Sequence, residues 1–183
     1  MKKVSLMLIG VLMIALLFVS NSTVLGQPND SGAIKCDLDI TYNGAFWSGT
    51  VSGDECSVEG AIRFDAVGDE YRYRPNPENV STMHFVEEFT MWPGSDEMAG
   101  DVWIKGKNCG VWNFSTFKYR AHGWVTDASV EWADLIGSQY HEMGTTSNPA
   151  DGLPLLAPGG NMKLVPSNRP VGSPEDLCAP PES

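Results

Sequence analysis

Over residues 34–41 apolar and polar side chains alternate without a fault, Ile34, Cys36, Leu38 and Ile40 against Lys35, Asp37, Asp39 and Thr41. Successive side chains of an extended chain point to opposite faces, so a period of two describes a strand with one face in a core and the other in water. An amphipathic helix would need apolar residues recurring three and four positions apart, a pattern this stretch lacks. Asn43-Gly44 follows, a dipeptide suited to the positive φ of a tight hairpin turn, and residues 46–52 read as the return strand. Gly53-Asp54 marks another turn, after which Cys56, Val58, Ile62 and Phe64 alternate with Ser57, Glu59, Arg63 and Asp65.

The same period continues beyond a polar loop containing Pro75 and Pro77. Residues 82–92 place Met83, Phe85, Phe89 and Met91 on one face together with Glu87, and Pro93-Gly94 ends the segment. A shorter strand is expected near 101–105, a break at 106–108, and then a long aromatic and β-branched strand over 109–119, with further strands at 123–126 and 138–146. One interruption reads as helical: Asp127 or Ser129 caps a short turn through Trp132 and Ile136, and Gly137 stops it. Seven or eight short strands joined by hairpin-like links predict an all-β chain, a single antiparallel β-barrel of mostly up-and-down topology, because an open sheet would leave unpaired edges. From residue 147 onward the chain holds 8 of its 12 prolines and no clear period, so residues 147–183 are expected to be irregular. Leu153, Leu155, Leu156, Leu164 and Val165 make this tail apolar enough to lie against the outside of the barrel.

Lys2 and Lys3, an apolar stretch over 6–19 and a small-residue exit ending at Gly26 have the order of a secretory signal, which places the mature start at Gln27. The expected division is a signal over 1–26, a barrel over 27–146 and the tail. The apolar stretch is shorter than the roughly 20 residues of a bilayer span, so no membrane segment is expected in the mature chain. Without the signal, 157 residues remain, enough for one domain with one core, and 10 basic residues stand against 23 acidic ones, a net charge of −13. Such a field repels phosphate backbones and excludes nucleic acid as a natural partner. All four cysteines, Cys36, Cys56, Cys109 and Cys178, lie in the exported part, where thiols oxidise to disulfides. Three pairings are open. In a meander, Cys36 and Cys56 open strands that point the same way and meet at one end of the sheet, which leaves Cys109 for Cys178.

Glu87 is the acid that stands out, since alternation sets it among Met83, Phe85, Phe89 and Met91 on the buried face. A carboxyl in apolar surroundings binds its proton more tightly and is able to donate it near neutrality, so if the chain is an enzyme Glu87 is its acid. Otherwise Glu87 is a structural group held by a buried partner. His84, His122 and His141 have no spacing that forces them together, so no metal site is predicted, and no nucleophile, phosphate-loop or dinucleotide motif points to a cofactor. The aromatic residues Phe85, Phe89, Trp112, Phe114, Trp124 and Tyr140 either fill the core, line a ligand cavity or form a sugar-stacking face.

The inferred architecture is similar to that of lipocalins and, more loosely, to the barrels of allene oxide cyclases and dirigent proteins. The Gly-x-Trp element that a lipocalin carries on its first strand is absent there: Gly110-Val111-Trp112 stands in mid-sequence, and Gly44-Ala45-Phe46-Trp47 is the only early approach to it. The likeness is one of architecture and carries no ligand with it. The expectation is a secreted barrel, extracellular or periplasmic, that binds a small apolar or aromatic ligand. The alternatives are a small cyclase- or isomerase-like enzyme acting on a lipid-like substrate and a structural or adhesive surface protein.

Overall fold

A computed structural model describes residues 32–67, 75–76 and 79–167. The proposed signal over 1–26 and Cys178 lie outside the described residues. The alternation at 34–41 becomes β1 (Ile34–Tyr42), and a meander follows: β2 (Trp47–Ser52), β3 (Gly60–Ala66), the two-residue β4 (Pro75–Asn76), β5 (Asn79–Pro93), β6 (Ile104–Asn113), β7 (Lys118–Ala128), β8 (Gln139–Thr145) and β9 (Leu155–Val165). Every long strand pairs antiparallel with its neighbours in the chain, β3 pairs with β5, and β9 returns to β1, which closes eight strands into an up-and-down barrel. Closure pairs every long strand on both sides, the physical reason such a pattern prefers a barrel to an open sheet. A short 3-10 helix, Val130–Leu135, follows Ser129, and Gly137 ends the turn at φ 88°.

The expectation that residues 155–165 are irregular and lie outside the barrel is corrected by β9, which is its eighth stave. Leu155 and Leu164 point inward and are buried, while Leu153 and Leu156 are exposed. Pro158 and Gly159 hid this strand because they interrupt its period. Leu38 pairs with Gly160 and Ile40 with Ala157, so two residues of β9 face Asp39 alone, in a bulge. Gly159 adopts φ 65° there and donates its N–H to Asp39 Oδ1 at 2.6 Å. Pro158 is tolerated because β8 pairs with β9 only from Asn161 onward.

The break expected at 106–108 is likewise absent. β6 runs straight through it, and the hairpin falls at 114–117, where Phe117 takes φ 56°. Gly106 and Gly110 are spaces for rings. A Cβ on Gly106 would lie 2.1 Å from the Phe89 ring, and one on Gly110 2.4 Å from the Phe85 ring. Small residues on one strand beneath aromatics on the next let a narrow barrel fill.

The two ends differ. At the end holding the β2–β3, β5–β6 and β7–β8 connections, Val51, Val58, Ile62, Met91, Ile104 and Val125 pack with Trp132 and Leu135 into a continuous core. The Cys36–Cys56 disulfide pins β1 to the β2–β3 connection at this end, as the meander argument expected. Cys109 is also disulfide-bonded, and its expected partner Cys178 lies outside the described residues. Outward positions of β1, β3, β6 and β7 carry Lys35, Asp37, Arg63, Lys107 and Arg120. That is the inverse of a membrane-spanning barrel, whose outer band is apolar. Among the described residues no helix is long and apolar enough to cross a membrane.

Candidate functional site

At the opposite end the apolar filling stops short. β5 brings Glu87 inward between Phe85 and Phe89, and β8 brings Glu142 inward two residues after Tyr140; the two carboxyls are only 5% and 3% exposed. Burying a carboxyl is costly unless hydrogen bonds replace its hydration. Glu142 has such bonds: Tyr140 donates its O–H to Oε2 at 2.5 Å, and Asn108 Nδ2 reaches Oε1 at 3.4 Å. Asn108 stands opposite Glu87 on one side of β6 and opposite Gly123 on the other. A Cβ on Gly123 would fall 2.6 Å from Asn108 Cα and 1.9 Å from the Lys107 carbonyl, so the strand approach that carries Asn108 toward Glu142 requires glycine.

This arrangement sets the proton affinities. Burial and the neighbouring Glu87 charge push Glu142 up to about 8, against the opposing pull of the Tyr140 hydrogen bond. Glu142 therefore holds a proton at neutral pH. Burial, with the Glu142 charge added, also raises Tyr119 and Tyr140 above the ordinary tyrosine range, so both stay neutral.

Above these groups lies a cavity of about 70 Å³, lined by Glu87, Glu142, Tyr119, Phe85, Trp47 and Trp112 among others. At roughly 10–15 Å³ for each water position, it has room for about five waters. A row of rings spans its rim from the β1–β2 hairpin to the β6–β7 hairpin: Tyr42 to Trp47 at 5.3 Å, Trp47 to Trp112 at 6.4 Å in a T-shaped contact, and Trp112 to Phe114 at 4.9 Å. A second row lies beneath, with Phe89 stacked on Tyr140 at 4.3 Å and 6.5 Å from Phe64. The polar groups sit between two aromatic layers. Two of the lining residues hold buried atoms with no hydrogen-bond partner among the described residues, Trp112 Nε1 and Tyr119 OH.

The residues singled out from the sequence divide accordingly. Glu87, Phe85 and Trp112 line the cavity, Phe89 and Tyr140 form the layer below it, and Phe114 packs on Trp112 at the rim. Trp124 belongs elsewhere. It occupies an outward position of β7, opposite Lys107 and Gln139, because β7 alternates with Tyr119, Ala121, Gly123 and Val125 inward. His122 and His141 face each other across β7 and β8 on the outer surface, His84 lies out on β5, and the described residues hold no group of three metal-ligating side chains.

Sequence reasoning missed Glu142, Tyr119 and Asn108. The signal for Glu142 was present: if Tyr140 faces inward, period two carries Glu142 inward with it. Asn108 was hidden by its place between Gly106 and Gly110, a composition that reads as a turn. Comparison with known proteins leaves the site to be read from its own geometry, since no family model, curated protein or solved structure matches the chain.

Proposed function

We propose that the protein is an exported binding barrel whose cavity holds a small apolar or aromatic molecule. The observation that carries this reading is the cavity itself, an aromatic-walled space above a packed floor, with the Trp112 N–H and Tyr119 hydroxyl left without partners among the described residues. Buried polar atoms in native proteins find a partner almost without exception, so a ligand or water belongs there. Concave, largely apolar sites with a few polar groups are where small molecules bind. The volume sets the scale, a molecule of fewer than about ten non-hydrogen atoms, which disfavours an extended lipid chain. The Cys36–Cys56 disulfide and the bonded Cys109 suit an oxidising compartment outside the cytoplasm.

Tryptophan fluorescence tests the reading, since Trp47 and Trp112 wall the cavity. Titration of the mature chain with single-ring aromatic compounds should give saturable changes, with Kd near 10 µM at a ligand efficiency of roughly 0.7 kcal/mol per atom. A panel that leaves the emission unchanged at millimolar concentration would sink the proposal. A barrel enzyme is the second reading, favoured by one observation: Glu142 holds a proton near neutrality. The cavity then takes a small substrate, and the acid is Glu142 with Glu87 beside it. Glu142→Gln should abolish turnover in that case while leaving binding of an unreactive ring compound intact.

A further inference from the structure

Resting on the reading that this cavity binds a ligand, we propose that its occupant is a small organic cation, an ammonium carried on a compact apolar or aromatic body. Among the described residues the lining contains two carboxyl groups, Glu87 and Glu142, and no lysine, arginine or histidine. An anion brought into this space would meet two acids and the negative faces of the surrounding rings. A neutral body would satisfy the rings alone. An ammonium satisfies both, because a cation over an aromatic face is drawn to the ring quadrupole and the attraction grows when water is excluded. Trp47 and Trp112 present two such rings at the rim, 6.4 Å apart and 76° inclined, like adjoining walls of a cage.

The Tyr119 hydroxyl adds an independent sign. Tyr119 is 8% exposed, lines the cavity, lies within the electrostatic reach of both Glu87 and Glu142, and its oxygen has no partner among the described residues. A hydroxyl oxygen accepts as well as donates, so it can take one N–H of an ammonium whose other N–H groups face the carboxyls. The long 3.4 Å contact from Asn108 leaves Glu142 Oε1 with acceptor capacity for the same purpose. The net charge of −11 gives a long-range field of the sign that steers a cation toward the barrel.

The experiment compares three single-ring probes of similar size on the full chain: benzylamine, benzyl alcohol and benzoate, titrated by tryptophan fluorescence and calorimetry at pH 7.4. The amine should bind at least ten times more tightly than the alcohol, and the carboxylate more weakly than either. Glu87→Gln removes the lining carboxyl whose charge acts on Glu142 and should reduce the amine toward the affinity of the alcohol, with a retained cooperative urea transition reporting that the variant is folded. If that variant does not fold, the ranking of the three probes on the unaltered protein decides alone. Equal binding of amine and alcohol overturns the cation and leaves the binding barrel standing. Tighter binding of the carboxylate also overturns it. No binding of any probe overturns the cation and the binding reading together.

Discussion

The two ends of this barrel are built from the same strands and use them differently. At the closed end the inward positions are mostly apolar, the 3-10 helix supplies Trp132 and Leu135, and a disulfide ties the chain down. At the open end the same strands deliver Glu87, Glu142, Asn108 and Tyr119 inward, and a cavity remains above them. Apolar burial stabilises a fold by about 25 cal/mol for each Å² removed from water, whereas buried carboxyls oppose it. One half therefore holds the fold together, and the other departs from the best-packed arrangement at the place where a ligand would sit. Stability given up locally in a fold that keeps it elsewhere is a mark of a working site.

The largest effect should come from the layer where the halves meet. Phe89 is fully buried, stacks on Tyr140 and covers Gly106. Phe89→Ala should cost about 4 kcal/mol, the range for a large aromatic removed from a packed core, measured as the shift in urea midpoint. A loss below about 1 kcal/mol would mean that the lower half is loosely filled and that the contrast between the ends is wrong. Opening the disulfide tests the same half from another side. The bridge spans 20 residues of sequence, a loop whose closure stabilises the fold by about 3 kcal/mol in the chain-entropy account. The Cys36→Ser, Cys56→Ser double variant should lose that amount and keep its aromatic ligand affinity, because the bridge is remote from the cavity.

Much of this division could be read from residue order alone, and the parts that could not have a common cause. Period two placed β1 and β5 and set Glu87 on the buried face, because those strands obey alternation, while the turn residues on either side placed β2 and β3. β9 was missed because a bulge at Pro158-Gly159 shifts its period in mid-strand, so that each half looks too short to be a strand. β6 was cut by its glycines, which serve neighbouring rings and not a turn. Trp124 could not be told from the inward aromatics by residue type, because being aromatic says nothing about which face of a strand a side chain occupies. The cavity was out of reach altogether, since its volume is a difference between packed shapes and has no signature in a single strand.

A pH titration sharpens the comparison from the polar side, with a smaller effect. Glu142 binds its proton more tightly in the folded barrel than in the unfolded chain, where an ordinary glutamate loses it near 4.5. The folded state thus holds more protons between 4.5 and about 8, and stability falls as pH rises through that window. Below 4.5 the contribution is fully present. The loss should be on the order of 2 kcal/mol at this one site. Glu142→Gln should flatten the profile of urea stability between pH 5 and pH 8.5. A profile equally steep in the variant would assign the dependence to other groups and leave Glu142 an ordinary acid.

The smallest change in stability should still leave a mark on recognition. Trp47 is half-buried at the rim, with Tyr42 on one side and Trp112 on the other. Trp47→Phe keeps an aromatic ring against Tyr42 and removes less volume than a truncation, so the fold should lose under about 1 kcal/mol. In the proposed site the ring is also half of the wall that an incoming molecule would meet, and phenylalanine presents a weaker face to a cation than tryptophan does. Affinity for an aromatic amine should therefore drop several-fold while the affinity for its alcohol analogue changes little. Should both affinities fall together, Trp47 serves by shape alone. Should neither fall, the ligand does not enter past the β1–β2 hairpin, and the route into the cavity lies on the other side of the rim, past Met83 and Thr146, which also line it.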